Sequence, residues 1–101
     1  MDDDPWIVDI IAEQLTLQQF QVDTTIDSSQ VMGILGANSH DLVILDVCMP
    51  EPNGITLLKR IHHKYPYLPV LMLTSSNDTT TAVQAMQEGA SDYIIKLYRV
   101  F

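Results

Sequence analysis

The chain has 101 residues, 47% of them hydrophobic and 18% charged, with four glycines and five prolines. That is one globular domain's worth of core, and neither a disordered nor a fibrous composition. Five Lys and Arg against thirteen Asp and Glu leave a net charge of −8, which argues against a nucleic-acid-binding or anionic-membrane surface, since both require basic clusters.

Asp4-Pro5 reads as a helix N-cap followed by proline in the first turn, and Ile7, Ile10, Ile11, Leu15 and Leu17 mark the apolar side of a first helix. Residues 20–26 (FQVDTTI) favour a strand through their β-branched and aromatic side chains. Asp27-Ser28-Ser29 can cap a second helix that turns Val31, Met32, Ile34 and Leu35 inward, with Gly36 and Asn38 as its stop. Residues 41–47 (DLVILDV) form an apolar run that meets an acid at Asp46. A strand apolar on both faces belongs in the middle of a covered parallel sheet.

Residues 49–54 (MPEPNG) are dense in turn formers. A third helix is expected over 55–65, with Ile55, Leu57, Leu58 and Ile61 as its buried side and Pro66 as its stop. Residues 69–73 (PVLML) are a second wholly apolar strand, followed by a polar loop and cap at 74–78. A fourth helix over 79–88 ends at Gly89, and Tyr93-Ile94-Ile95 begins a last strand before Lys96. Strands alternating with helices predict a right-handed, doubly wound parallel sheet. No apolar run is long enough to span a membrane, and Met1-Asp2-Asp3-Asp4 has the wrong charge for a signal peptide. Cys48 is the only cysteine, so the core must hold the fold unaided; the expected setting is the cytoplasm.

Functional groups of open α/β sheets collect beyond the carboxyl ends of the strands. Asp46, then Thr74 with Ser75, then Lys96 stand at those ends, and Asp2 and Asp3 precede the first helix where a further strand would end. Carboxylates, a hydroxyl and an ammonium converging on one crevice suit a hard divalent cation and an anionic group, and Mg²⁺ better than zinc.

These motifs resemble those of the receiver domains of bacterial two-component response regulators, over essentially the whole chain. Asp2-Asp3 is similar to the family's acidic pair, and Asp46-Val47-Cys48-Met49-Pro50 with Gly54 to its phosphoacceptor strand and loop. Leu71-Met72-Leu73-Thr74-Ser75 resembles the switch strand, and Ser91-Asp92-Tyr93-Ile94-Ile95-Lys96 the final one. The resemblance implies a flavodoxin-like three-layer α/β/α fold over residues 1–101. It implies a signalling domain rather than a stand-alone enzyme, catalysing only its own phosphorylation and dephosphorylation. Asp46 would accept a phosphoryl group from a histidine kinase or phosphotransfer protein. Asp2, Asp3, Asp46 and the backbone carbonyl of Cys48 would hold Mg²⁺, and Thr74 and Lys96 would bind the phosphoryl oxygens. Thr74 and Tyr93 would form the switch read by a downstream effector.

The chain departs from the family pattern at both ends. No strand precedes Asp2, no helix follows Lys96, and Leu97 stands where the family usually has proline. The expectation is therefore a receiver fold incomplete at both ends: a fragment, an oligomer that recovers the missing elements by exchange, or a pseudo-receiver that acts as a phosphorylation-independent interaction module. Other residues have plainer readings. His62 and His63 are adjacent and so diverge on a helix, which predicts a solvated face, and the methionines read as core fillers.

Overall fold

The computed structural model describes residues 1–2, 4–46, 54–75 and 79–96, without the side chains of Ser75, Thr79 and Lys96. Helix α1 spans Pro5–Leu17. A 3₁₀ turn at Ser28–Gln30 leads into α2, Val31–Ala37. There follow β1 (Val43–Asp46), α3 (Gly54–Lys64), β2 (Val70–Ser75), α4 (Thr79–Gln87) and β3 (Asp92–Lys96). The three strands form one parallel sheet in the order β1-β2-β3. Val43 pairs with Val70 and Asp46 with Leu73, while Leu71 pairs with Asp92 and Ser75 with Lys96.

Side chains alternate across the sheet, so Val43, Leu45, Val70 and Met72 share one face. That face is the core. All four are buried with Val31 and Leu35 of α2, Ile55, Leu57, Leu58 and Ile61 of α3, and Ala85 of α4. The third helix thus buries the residues that its spacing nominated. His62 and His63 lie on its exposed side.

Local chemistry explains the helix ends. The Asp4 carboxylate accepts a hydrogen bond from the Trp6 N–H at 3.0 Å and Pro5 opens α1. The Asp27 carboxylate accepts from the Ser29 N–H at 3.0 Å and from its hydroxyl at 2.7 Å. Those two bonds, the hydroxyl's first, hold the Asp27 carboxyl below its usual 3.8. Helices α1 and α4 both close with the same backbone motif. Phe20 N–H reaches the Leu15 carbonyl at 3.1 Å and Gln19 N–H the Thr16 carbonyl at 2.9 Å, with Gln19 left-handed at φ +69°. At α4, Ala90 N–H reaches the Ala85 carbonyl at 3.0 Å and Gly89 is the left-handed residue, at φ +110°. The motif needs positive φ at that position, which glycine adopts without strain.

Three expectations are corrected. Residues 20–26 form no ladder with any described strand, because strand propensity yields a strand only where a neighbouring backbone is in reach. Instead Asp23 meets His40 just ahead of β1, Oδ2 to Nε2 at 2.7 Å, and Thr25 donates from its hydroxyl to Gln30 Oε1 at 2.9 Å. In α1 Ile7, Ile11 and Leu15 are partly buried as expected, but Ile10 and Leu17 are exposed and the one fully buried residue is Val8, so the inward face is rotated towards Val8. Finally, α2 runs through Gly36 to Ala37 and stops at Asn38 in an extended conformation, not a left-handed one.

Candidate functional site at the strand ends

Asp46 is the last residue of β1, and its position depends on strands on either side. On the inner side it is in register with Leu73, so Thr74 lies one residue further along β2. On the outer side Met1 takes the place of a strand residue. Its ammonium donates to the Ile44 carbonyl, and its own carbonyl accepts from the Asp46 N–H at 2.9 Å. One residue lodged between positions i and i+2 of its neighbour is the parallel bridge. Met1 therefore runs alongside β1 in the same direction, and Asp2 emerges from the sheet beside Asp46.

Asp2, Asp46 and Thr74 are each 2% exposed, and among the described residues the other buried side chains are apolar. The Asp2 carboxylate turns back to accept from the Asp4 N–H at 3.0 Å, which fixes the step from Met1 into α1. Carboxyl groups buried at neighbouring strand tips place hard oxygen donors together at one end of the sheet. The third strand brings Lys96 opposite Ser75, next after Asp46 and Thr74 across the sheet. Tyr93 pairs with Met72 and shares the core face with Thr74, two positions back along the neighbouring strand. It is partly exposed, on the edge strand.

Of the residues singled out from the sequence, the backbone thus gathers Asp2, Asp46, Thr74 and Lys96 at one end of the sheet. Asp3, Cys48 and the Lys96 side chain lie outside the described residues. Among the described residues no group of three or more His, Cys, Asp or Glu has the arrangement of a complete metal site. The oxygen donors that are described, Asp2 and Asp46, fit a hard cation such as Mg²⁺ by chemistry and by adjacency of their strand tips. What sequence reading missed is Met1, whose main chain sets Asp2 beside the tip of β1. A strand bridge made by a single residue leaves no periodic signal.

A parallel sheet with an acid, a hydroxyl and a lysine at successive strand tips has close counterparts among known proteins. The family described as response regulator receiver domain matches residues 1–100. The chain belongs to that receiver family. Receiver domains are the signalling modules of response regulators, working between histidine kinases and downstream effectors. One similar protein is the DNA-binding transcriptional regulator NtrC of Klebsiella pneumoniae, 33% identical over 100 residues that span 99% of this chain and 21% of that protein. Another is Protein RcaC of Microchaete diplosiphon, 31% identical over 95% of this chain and 15% of its own length. The chain thus spans only 15–21% of the length of these curated relatives. Among solved structures, the receiver domain of NtrX from Brucella abortus superposes with a TM-score of 0.91 at 30% identity, covering 97% of this chain and 83% of that one. A receiver domain protein from Clostridium thermocellum does so with a TM-score of 0.89 at 33% identity, over 97% and 79%. The fold is that of the receivers. Among the described residues, no helix is long and apolar enough to cross a membrane.

Proposed function

We propose that this receiver is a phosphorylation switch with Asp46 as its acceptor. The observation that carries the reading is the placement of a buried carboxylate at the tip of β1, between Asp2 on one flank and Thr74 on the other. A carboxylate oxygen of Asp46 attacks the phosphorus of a kinase phosphohistidine. The new P–O bond forms as the P–N bond breaks, and the imidazole leaves with the electron pair and takes up a proton. Covalent catalysis by a carboxylate needs little from the protein beyond positioning and charge neutralisation. The Thr74 hydroxyl donates to one phosphoryl oxygen and the Lys96 ammonium pairs with another. Asp2, Asp3, Asp46 and the Cys48 carbonyl would hold Mg²⁺, which when bound supplies neutralising charge for the transferred group. Water later hydrolyses the acyl phosphate and returns Asp46 to its starting state.

The output follows from the same geometry. When Thr74 is drawn to the phosphoryl group it gives up space on the face that it shares with Tyr93, and the half-exposed ring turns inward. A local charge event thereby changes the surface at β3 that a downstream effector or effector domain reads.

Incubation with acetyl phosphate and Mg²⁺ followed by intact mass tests the acceptor. A single phosphoryl adduct is expected on the wild type, lost on hydroxylamine treatment and absent from Asp46→Asn. Thr74→Ala should still take the phosphoryl group but no longer shift the Tyr93 ring resonances. An unmodified wild type would leave a phosphorylation-independent interaction module as the better account.

A further inference from the structure

We infer that the exposed face of α3, with the groove where that helix ends, is a docking site for an acidic peptide segment of a partner protein. Its carboxylates would sit on Arg60 and Lys64, and its next apolar side chain would enter the groove beside Tyr67. The inference is independent of the phosphoryl chemistry, which belongs to the other end of the sheet.

The first observation is the charge pattern. No Lys or Arg occurs before residue 59, and three of the chain's five then fall within six residues, at Lys59, Arg60 and Lys64. All three are exposed on α3. Lys59 is paired, its Nζ 3.8 Å from Glu88 Oε1. Among the described residues, Arg60 and Lys64 have no carboxylate within ion-pair distance. They are four residues apart, so one stands above the other on the helix, and like charges so placed repel. The negative end of the helix dipole favours Lys64, in the last turn, but its effect fades before Arg60. Two cations kept side by side without a counter-ion, in a chain of net charge −8, are complementary to carboxylates supplied from outside.

The second is the groove that Lys64 borders. It holds about 750 Å³ between the turn after α3 and the end of α2. It lies at the starts of β1 and β2, opposite the tips that carry Asp46 and Thr74. Tyr65, Tyr67 and Leu68 line one side, and Gly36 and Ala37 the other. The Leu68 N–H bonds the Tyr65 carbonyl at 3.0 Å, which closes a tight turn with Pro66 in second place, where its fixed φ is preset. Tyr65 and Leu68 pack against the core, so the floor is fixed. The Lys64 ammonium stands 5.6 Å from the centre of the Tyr65 ring and joins the cationic face to that floor.

The third is Tyr67, next in the same turn and 96% exposed. A ring held out by a rigid turn can be covered at little ordering cost, and Tyr and Arg are the side chains that dominate interface energies. A peptide fits this combination better than a nucleic acid does. Two unpaired cations are few beside the roughly six to ten phosphate contacts of a tight nucleic-acid complex, and Asp41 on the far wall of the groove would repel a phosphate. Arg60 and Lys64 lie one turn apart, about 5.4 Å, a separation that two adjacent carboxylate side chains span.

The probe is an N-acetylated, C-terminally amidated peptide of two glutamates, a phenylalanine and a leucine. It is titrated into the ¹⁵N-labelled 101-residue chain at about 0.05 M salt. Amide shifts are expected at residues 60–68 and 36–39 and not at Asp46 or Thr74, with a Kd of about 1 mM or tighter. Arg60→Gln combined with Lys64→Gln should weaken binding by about five-fold, and Tyr67→Ala by about five-fold or more. These side chains are exposed, and unchanged amide spectra elsewhere would show the variants folded. Raising the salt to about 0.5 M should weaken binding to the wild type and scarcely affect the double variant. The inference fails if the peptide at its solubility limit moves none of these amides. It fails equally if a peptide with lysines in place of the glutamates binds as well, or if the double variant binds as tightly as the wild type. A single-stranded DNA of about ten nucleotides that binds at the same amides more tightly would make the partner a nucleic acid and overturn it too.

Discussion

Gly89 offers a quantitative test of how α4 is joined to β3. Its φ of +110° is one that L side chains rarely adopt, and a Cβ placed on it would lie 2.7 Å from both Cδ2 and Cγ of the His62 ring on α3. Gly89→Ala therefore carries two separable costs. The backbone cost of holding a non-glycine residue at positive φ is about 1–2 kcal/mol. The steric cost sits at the low end of overpacking, about 1 kcal/mol, because His62 is exposed and its ring can swing away. The sum, about 2–3 kcal/mol, is a large share of the roughly 5–15 kcal/mol that stabilises a domain. It should lower the thermal midpoint by on the order of 10 °C. His62→Ala removes the ring and leaves the backbone cost. In that background Gly89→Ala should cost only about 1–2 kcal/mol, a coupling of about 1 kcal/mol in a double-mutant cycle. Urea denaturation of the four proteins measures it. Equal costs in both backgrounds, within about 0.3 kcal/mol, would refute the steric part. A Gly89→Ala variant as stable as the wild type would refute both.

Gln19 is the converse case, a side chain at φ +69° in the motif that glycine fills at α4. Gln19→Gly should stabilise the domain by about 1 kcal/mol, read as a higher urea midpoint at unchanged slope. Leu58 is fully buried against the core face of the sheet, and Leu58→Ala should cost about 2–5 kcal/mol in the same assay. Asp27 should titrate below 3.8 in the folded state because Ser29 bonds its ionised form. The stability it contributes is present above 3.8 and is lost as the pH falls through the lower, folded value. Carboxyl chemical shifts followed against pH should show this, and Ser29→Ala should bring the midpoint back towards 3.8.

Most of the architecture can be read along the chain. The runs 41–47 and 69–73 are apolar at every position in a way that only a doubly covered parallel strand requires, and both became neighbouring strands of the sheet. The spacing of Ile55, Leu57, Leu58 and Ile61 nominated the buried face of α3 correctly. Asp4 and Asp27 announced their caps because capping is a contact over two or three residues. Asp46 and Thr74 could be placed at the carboxyl end of the sheet since strand ends follow from the runs themselves.

What lay beyond the sequence was every feature that depends on distant backbone. Residues 20–26 have the composition of a strand, but a ladder needs a neighbouring backbone in register, and among the described residues the outer edge of β1 bonds to Met1 instead. The same bridge brings Asp2 level with Asp46, across a sequence separation that no local pattern encodes. The inward face of α1 was likewise decided by what it packs against, around Val8 rather than Ile10. Propensity and periodicity act within a few residues and so determined which segments could become strands, helices and caps. Pairing acts between segments, and only the folded chain decided which of them became neighbours.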